Sequence, residues 1–265
     1  VSEARIDDAV RRILTVKFQL GLFEHPYSDP ALLASVGSEA HRQLARDAAA
    51  QSLVLLKNED EFFPLDKELP NLFVGGKAAR DLGTQLGGWS ITWQGAEGGI
   101  TEGTTILDAL RATLSEDTNL VFDSFGEFED LPDGEPAICL AVIGESPYAE
   151  GHGDDPDLKI DDFDLRVLER MSASCDQLGV VLLSGRPLLV SEQIAEWDAF
   201  VAAWLPGTEG QGVVDVLVGD RPFSGKLSYT WPRTIEQVTF DFATVPTEGD
   251  DAPLFPIGFG LSTAP

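Results

Sequence analysis

The chain has 265 residues, 43% of them hydrophobic, which is enough apolar material for at least one sizeable core. Its 45 acidic and 18 basic residues give a formal net charge of −27, so its surface repels nucleic acid and anionic membranes. No apolar run reaches the roughly 18 residues of a membrane span. We therefore expect neither a nucleic acid nor a membrane as a partner.

Only six of the basic residues are lysines. Surfaces rich in acid and poor in lysine are typical of salt-adapted proteins, so a saline habitat is a hypothesis for the source of this chain. The start at Val1 resembles a cut through a longer protein. The sequence leaves the compartment open, with a secreted or periplasmic location favoured for the parent protein.

The first 65 residues have the pattern of a helical connector. Apolar residues from Ile6 to Phe18 follow helical spacing, with Ser2 in position to cap the helix and Gly21 in position to end it. A second helix is predicted from Ser38 to about Gln51, and residues 52–58 are either extended or a continuation of that helix.

From about residue 71, short apolar strands alternate with helices. Strands are predicted at residues 72–75, 119–123, 137–143, 179–183 and 200–204. Helices are predicted at residues 76–82, 105–114, 164–174, 189–196 and 209–218, and a late edge strand at residues 225–231. This order predicts an α/β fold, with a mostly parallel sheet covered by helices on both faces.

The loop after the third of these strands carries the strongest chemical signal. It holds two glutamates and two aspartates, with Gly151 and Gly153 around its tip. A general acid must approach the bond that it protonates, so Glu150, next to these glycines, suits that role. Glu145 lies against the strand end, and we expect it to bond backbone donors and hold the shape of the loop.

The sequence predicts less specific roles for the other polar residues of this loop. Asp154 and Asp155 are as suited to capping the next segment as to touching a substrate. His152 is expected to be a solvated loop histidine, because nothing fixes its tautomer or its partner. Elsewhere, Cys139 and Cys175 are expected to be separate buried thiols, in preference to a disulfide.

A second signal is the segment Gly87-Gly-Trp-Ser-Ile-Thr-Trp-Gln-Gly95. Its two leading glycines place Trp89 at a bend, where an indole ring can stand clear of the backbone and stack on a sugar ring. The residues alone leave Trp89 equally open to a core position. Trp93 is expected to be part of the core.

Motifs for other kinds of chemistry are missing. The glycine-rich turn at residues 203–212 lacks the Lys-Ser/Thr pair of a phosphate-binding loop, and the chain has no cysteine and histidine spacing for zinc. There is also no Gly-x-Ser-x-Gly nucleophile motif. No cofactor and no metal is therefore expected.

Taken together, the chain resembles the carboxyl-terminal half of a glycoside hydrolase family 3 enzyme of the β-glucosidase and exo-β-glucanase group. The matching stretches occur in the family's order along the whole chain. They are Arg5-Ile-Asp-Asp-Ala-Val-Arg-Arg-Ile-Leu14, Lys17-Phe-Gln-Leu-Gly-Leu-Phe23, Val54-Leu-Leu-Lys-Asn-Glu59, Pro64-Leu65, the Gly87–Gly95 segment, Gly144-Glu-Ser-Pro-Tyr-Ala-Glu150, Ser184-Gly-Arg-Pro187, Trp204-Leu-Pro-Gly-Thr-Glu-Gly-Gln-Gly212 and Pro256-Ile-Gly-Phe-Gly-Leu261.

The resemblance implies a division of the chain. Residues 1–65 would be the helical tail of an absent (β/α)8 barrel together with an interdomain connector, and residues 66–265 would be the family's α/β sandwich domain. The active site would lie between barrel and sandwich. The catalytic nucleophile would be an aspartate of the barrel, so this chain alone should not hydrolyse glycosides.

The resemblance also implies roles for particular residues. Glu150 matches the acid/base of the exo-glucanase branch, and Trp89 matches the aromatic platform of the aglycone subsite. Glu145, Tyr148 and Asp154 would shape the loop or act in secondary roles. The implied reaction is retaining hydrolysis of terminal β-D-glucosyl residues from a β-glucoside or β-glucan oligosaccharide, with its linkage left open.

Two readings from other classes remain. The chain could be a noncatalytic carbohydrate-binding or scaffold module that keeps Trp89 without using Glu150. It could also be a flavodoxin-like nucleotide or signalling domain, which the missing phosphate loop disfavours.

Overall fold

The computed structural model describes residues 1–263 except residues 130, 133, 135, 239–244, 247 and 250. It divides into two compact units, Val1–Gln43 and Leu44–Pro265. The functional boundary after residue 65 stays a prediction. No helix among the described residues is long and apolar enough to cross a membrane.

The first unit is mainly helical. Helix α1 spans Glu3–Gln19, and Gly21 follows it with a positive φ of 66°, as its place at the helix end predicts. Ser2 occupies the N-cap position, but its side chain makes no capping hydrogen bond, which corrects one expectation. The apolar side chains of α1, among them Ile6, Ile13 and Phe18, are exposed.

The second unit is built around one six-stranded sheet. Helix α2 spans Glu39–Ser52, and the strands are β1 (Val54–Asn58), β2 (Asn71–Gly75), β3 (Asn119–Asp123), β4 (Ile138–Gly144), β5 (Gln177–Leu183) and β6 (Ala199–Trp204). Their spatial order is β1-β6-β5-β4-β2-β3. Every neighbouring pair is parallel except β1 and β6, which are antiparallel. The mostly parallel α/β fold is thus confirmed.

Helices cover the sheet on both faces. The later helices are α3 (Leu82–Leu86), α4 (Ile106–Thr113), α5 (Asp162–Ser174) and α6 (Gly210–Leu217). One core cluster joins Leu110 of α4 and Val213 of α6 to Val181 and Leu183 of β5. The other cluster joins Met171 of α5 to the alternate β5 side chains, such as Val180. Alternate side chains of β5 therefore pack into two cores, one on each face of the sheet.

Three local predictions are wrong. The helix predicted at residues 76–82 is a short 3-10 turn, Lys77–Arg80, followed by α3, because Asp81 accepts a hydrogen bond from the Thr84 N–H and starts a new helix. The helix predicted at residues 189–196 is reduced to a 3-10 turn, Ile194–Glu196. The edge strand predicted at residues 225–231 is irregular, with only an isolated bridge from Trp231 to Phe255.

The cysteines also depart from expectation. Cys139 of β4 and Cys175, which directly follows α5, form a disulfide. This corrects the prediction of two separate thiols. The bond ties the carboxyl end of α5 to the central strand that the helix covers.

Candidate functional site

The order of the strands creates a crevice at one edge of the sheet. The chain passes from β2 outward to β3, and then crosses back to place β4 on the other side of β2. In open α/β sheets, ligands bind beyond the carboxyl ends of the strands where such a reversal occurs. The acidic loop leaves β4 at this edge, and the segment with Trp89 follows β2 through α3.

The acidic loop is fixed where it leaves β4. The backbone N–H of Gly144 donates to the Asp164 carboxylate at 3.0 Å, and the N–H of Glu145 donates to the Leu183 carbonyl at 3.0 Å. Beyond this anchored start, Glu150 opens a short 3-10 turn, Glu150–Gly153, and is exposed. Its φ of 39° lies in the left-handed region, which residues other than glycine adopt rarely and often at functional sites.

Glu145 is held by two side chains. Its Oε1 accepts from Nε and Nη2 of Arg186 at 3.0 and 2.7 Å, and its Oε2 accepts from the Tyr148 hydroxyl at 3.0 Å. The sequence led us to expect backbone donors, so the partners differ from that expectation. Burial, together with the charge of Glu145, raises the pKa of the Tyr148 hydroxyl above its ordinary value. Tyr148 therefore remains a hydrogen-bond donor at neutral pH.

The loop with Trp89 packs directly against the acidic loop. A Cβ added to Gly88 would lie 2.0 Å from the carbonyl oxygen of Tyr148, so only glycine allows this approach. Oε1 of Gln94 accepts from the backbone N–H of Ala149 at 2.8 Å. The two signals found separately in the sequence therefore form one surface, joined on both sides of Trp89.

This surface carries three exposed rings. Trp89 is 68% exposed and Trp93 is 52% exposed, so the prediction that Trp93 belongs to the core is wrong. Their ring centroids lie 6.3 Å apart, and the Trp93 ring stacks on His152 at 6.4 Å. His152 is exposed, as expected, but it lies against an aromatic neighbour. A row of ring faces thus extends from the Trp89 loop to the turn that contains Glu150.

The remaining carboxylates near the loop have different surroundings. Asp154 is exposed, and Asp155 accepts from the backbone N–H of Asp157 at 2.9 Å, which is a local turn contact. Asp164 is only 2% exposed, and its Oδ1 has no hydrogen-bond partner. Burial, with the nearby charge of Asp161, raises the pKa of Asp164 to about 7.

Comparison with known proteins identifies the family of the chain. The family model described as "Glycosyl hydrolase family 3 C-terminal domain" matches residues 53–263. The chain belongs to glycosyl hydrolase family 3. Within the family it is 32% identical to a lysosomal beta glucosidase of Dictyostelium discoideum and 29% identical to a periplasmic beta-glucosidase of Salmonella typhimurium, each over 99% of this chain.

A solved structure of a glucanase has the same fold. The exo-1,3/1,4-beta-glucanase from a Pseudoalteromonas species is 36% identical, with a TM-score of 0.85 over 99% of this chain and 34% of that chain. The two curated relatives are also longer than this chain, which spans 34% and 41% of their lengths. The chain therefore corresponds to a minor part of these enzymes.

Three residues of the site have no role that the sequence indicates. Arg186 and Gln94 lie in the segments Ser184-Gly-Arg-Pro187 and Trp93-Gln-Gly95, which carry the family resemblance without indicating contacts. Asp164 was predicted only as the start of a helix. An aspartate in the first turn of a predicted helix, after a strand that ends in glycine, is the only sequence signal for Asp164, and it does not show that the side chain is buried.

Metal binding has no geometric support in the described part of the chain. Among those residues, no group of three or more histidine, cysteine, aspartate or glutamate side chains could hold a metal ion.

Proposed function

We propose that this chain is the carboxyl-terminal part of a retaining β-glucosidase or exo-β-glucanase and supplies its acid/base residue, Glu150. The observation that carries this proposal is the junction of the two loops at the sheet edge. The hydrogen bond from Ala149 to Gln94 fixes the residue before Glu150 to the loop that presents the tryptophans. A proton donor and a stacking surface for sugar rings are thereby held together.

The reaction needs a second carboxylate from outside this chain. In retaining glycosidases the two carboxyl groups lie about 5–5.5 Å apart. The barrel aspartate attacks the anomeric carbon as the bond to the leaving oxygen breaks, and Glu150 gives its proton to that oxygen. Glu150 then takes a proton from water, whose oxygen replaces the aspartate on the anomeric carbon and leaves both carboxyl groups as they began.

Glu145 and Glu150 divide the work of the loop between them. Both oxygens of Glu145 already accept hydrogen bonds from Arg186 and Tyr148, so Glu145 shapes the loop. Glu150 is exposed on a left-handed turn and is free to face a substrate. Asp154, which is exposed and directly follows this turn, has a secondary role.

The aromatic faces bind the part of the substrate beyond the scissile bond. Indole faces offer a flat apolar surface against the C–H faces of a sugar. Trp89 is the platform that the family resemblance indicates, and the exposure of Trp93 adds a second face beside it. The sugars recognised in this way are β-glucosides or β-glucan oligosaccharides, as the names of the relatives suggest.

The proposal includes one expectation for this chain taken alone. Without the barrel aspartate it should not hydrolyse glycosides. A noncatalytic sugar-binding module is the alternative, because exposed tryptophans would serve that function equally well. The two functions differ in whether the carboxylate of Glu150 matters to turnover.

The test uses a full-length protein that joins this chain to its upstream barrel. Glu150→Gln is compared with Asp157→Asn, an exposed carboxylate on the same loop. On phenyl β-glucoside, whose leaving group needs a proton, kcat should fall by about 10²–10⁴-fold in Glu150→Gln alone. On 2,4-dinitrophenyl β-glucoside the first step should be nearly unaffected. Equal rates for wild type and Glu150→Gln on both substrates would refute the assignment, and sugar binding without turnover by the wild type would favour the noncatalytic module.

A further inference from the structure

Arg186 contacts the acidic loop at both of its ends. It lies in the turn after β5, the strand next to β4, and its side chain is 23% exposed. Nε and Nη2 bind Oε1 of Glu145 at the start of the loop, and Nη1 donates to the carbonyl oxygen of Gly153 at the end. One side chain therefore closes the segment that contains Glu150.

The middle of the loop is also held by this side chain. The guanidinium lies over the Tyr148 ring at 4.5 Å from its centroid, and Tyr148 in turn donates to Glu145. Asp155, just beyond the 3-10 turn, is 3.9 Å from Nη2. The contacts use the three nitrogens and the flat face of the guanidinium together.

Such a closed arrangement suits the backbone of Glu150. A left-handed conformation at a residue other than glycine is strained and persists only when the surrounding structure constrains it. The anchors at Glu145 and Gly153 supply this constraint from both directions along the chain. Neither anchor requires a contact to the carboxylate of Glu150, which stays exposed.

We propose that Arg186 is a positioning residue that holds Glu150 in place for proton transfer by clamping Glu145 and Gly153. This inference rests on the proposed role of Glu150 as the acid/base. Lysine cannot replace the arginine, because an ammonium group lacks the planar fork that reaches two anchors at once and lacks the flat face that stacks on Tyr148.

The clamp predicts a specific kinetic defect. A misplaced acid hinders reactions that depend on proton transfer, whereas substrates with good leaving groups need little help in that step. Loss of Arg186 should therefore lower kcat/KM, which reports formation of the glycosyl-enzyme, by about 10–100-fold for phenyl β-glucoside and leave kcat/KM for 2,4-dinitrophenyl β-glucoside within a few fold of wild type.

The experiment compares Arg186→Lys with Arg46→Lys. Arg46 is a matched control because its Nε and Nη2 also bind a carboxylate, that of Asp215, at 2.6 Å, and it contacts no residue of the acidic loop. Hydrogen–deuterium exchange of residues 145–153 is measured on this chain, and the two glucosides are assayed with the full-length protein. We expect faster exchange and the selective kinetic loss in Arg186→Lys only.

Two results would overturn the clamp. One is unchanged exchange across residues 145–153 in Arg186→Lys. The other is an equal loss on both glucosides that follows the loss of thermal stability, as a purely structural arginine would give. If Glu150→Gln itself shows no preference for good leaving groups, both the clamp and the proposed function are refuted. If Glu150→Gln shows the expected preference for good leaving groups but Arg186→Lys does not, only the clamp is refuted.

Discussion

The side-chain oxygen of Gln94 accepts a hydrogen bond from the backbone N–H of Ala149, the residue before Glu150, at 2.8 Å. Through this bond the loop that presents the exposed tryptophans and the loop that presents the glutamate are one structural unit. A substitution in either loop should therefore be felt in the other. The same dependence extends to Gly88, which precedes Trp89 in the chain and packs on the carbonyl of Tyr148.

Gly88→Ala tests this dependence between the loops. The new Cβ would lie 2.0 Å from the Tyr148 carbonyl oxygen, so the acidic loop must shift. In the full-length protein we expect activity to fall by up to about 10²-fold and stability by about 1–3 kcal/mol. Gly99→Ala is the control, because a Cβ added there has no heavy atom within 4 Å apart from those of Gly99 and its two neighbours in the chain. Wild-type activity and stability in Gly88→Ala would contradict the close packing of the two loops.

Asp164→Asn should change how stability depends on pH. The pKa of Asp164 is about 7 in the folded chain and ordinarily 3.8, so the folded state holds a proton that the unfolded state loses between these values. The stability that protonated Asp164 contributes at low pH is therefore lost as the pH rises from about 4 to 7. Asparagine resembles the protonated acid and avoids this loss, which amounts to at most about 4 kcal/mol.

Thermal unfolding from pH 4 to pH 8 checks this prediction. The Tm of Asp164→Asn should rise relative to wild type as the pH increases, with the largest difference above pH 7. The exposed Asp157→Asn should give a curve parallel to wild type. Parallel curves for Asp164→Asn as well would show that this carboxyl does not titrate in the expected range.

Removal of the disulfide should lower stability. Cys139 and Cys175 are 36 residues apart in sequence, and closing a loop of that size contributes about 4 kcal/mol in the chain-entropy account. We expect the double variant Cys139→Ala/Cys175→Ala to unfold at a lower temperature than the oxidised wild type. Alkylation of the denatured wild type without reductant should label no cysteine. Two labelled thiols would contradict the bond.

Salt should stabilise the fold. With a net charge of −27, the folded chain is opposed by repulsion between its carboxylates, and salt screens this repulsion. The Tm should therefore increase between low salt and 1 M sodium chloride. The same increase with potassium chloride would indicate screening in general. Equal stability at low and high salt would remove the hypothesis of a saline habitat.

The sheet could be predicted from the sequence because its strands are short apolar runs between turns. The predicted strand at residues 137–143 and the observed β4, Ile138–Gly144, differ by one residue at each end. Strand direction also followed from the alternation with helices. The prediction of a late edge strand at residues 225–231 was wrong. Alternation of apolar residues indicates which side chains are buried, but it does not show whether the segment pairs with another strand.

Contacts between distant segments could not be predicted. Trp93 lies in a glycine-rich loop with no helical or strand period, so nothing in the sequence shows whether its ring is exposed. The partners Cys139 and Cys175 meet only because α5 returns across β4. In the same way, the contact of Arg186 with Glu145 and Gly153 depends on β5 lying beside β4.

The role of Glu150 as the acid/base can be tested by the product that the Glu150→Ala variant forms in azide. The full-length variant would be supplied with 2,4-dinitrophenyl β-glucoside, so that the glycosyl-enzyme forms without an acid. With the carboxylate gone, azide can attack this intermediate without base assistance, so we expect faster turnover and β-glucosyl azide as the product. Glucose as the sole product, at a rate that azide does not change, would contradict the assignment of Glu150.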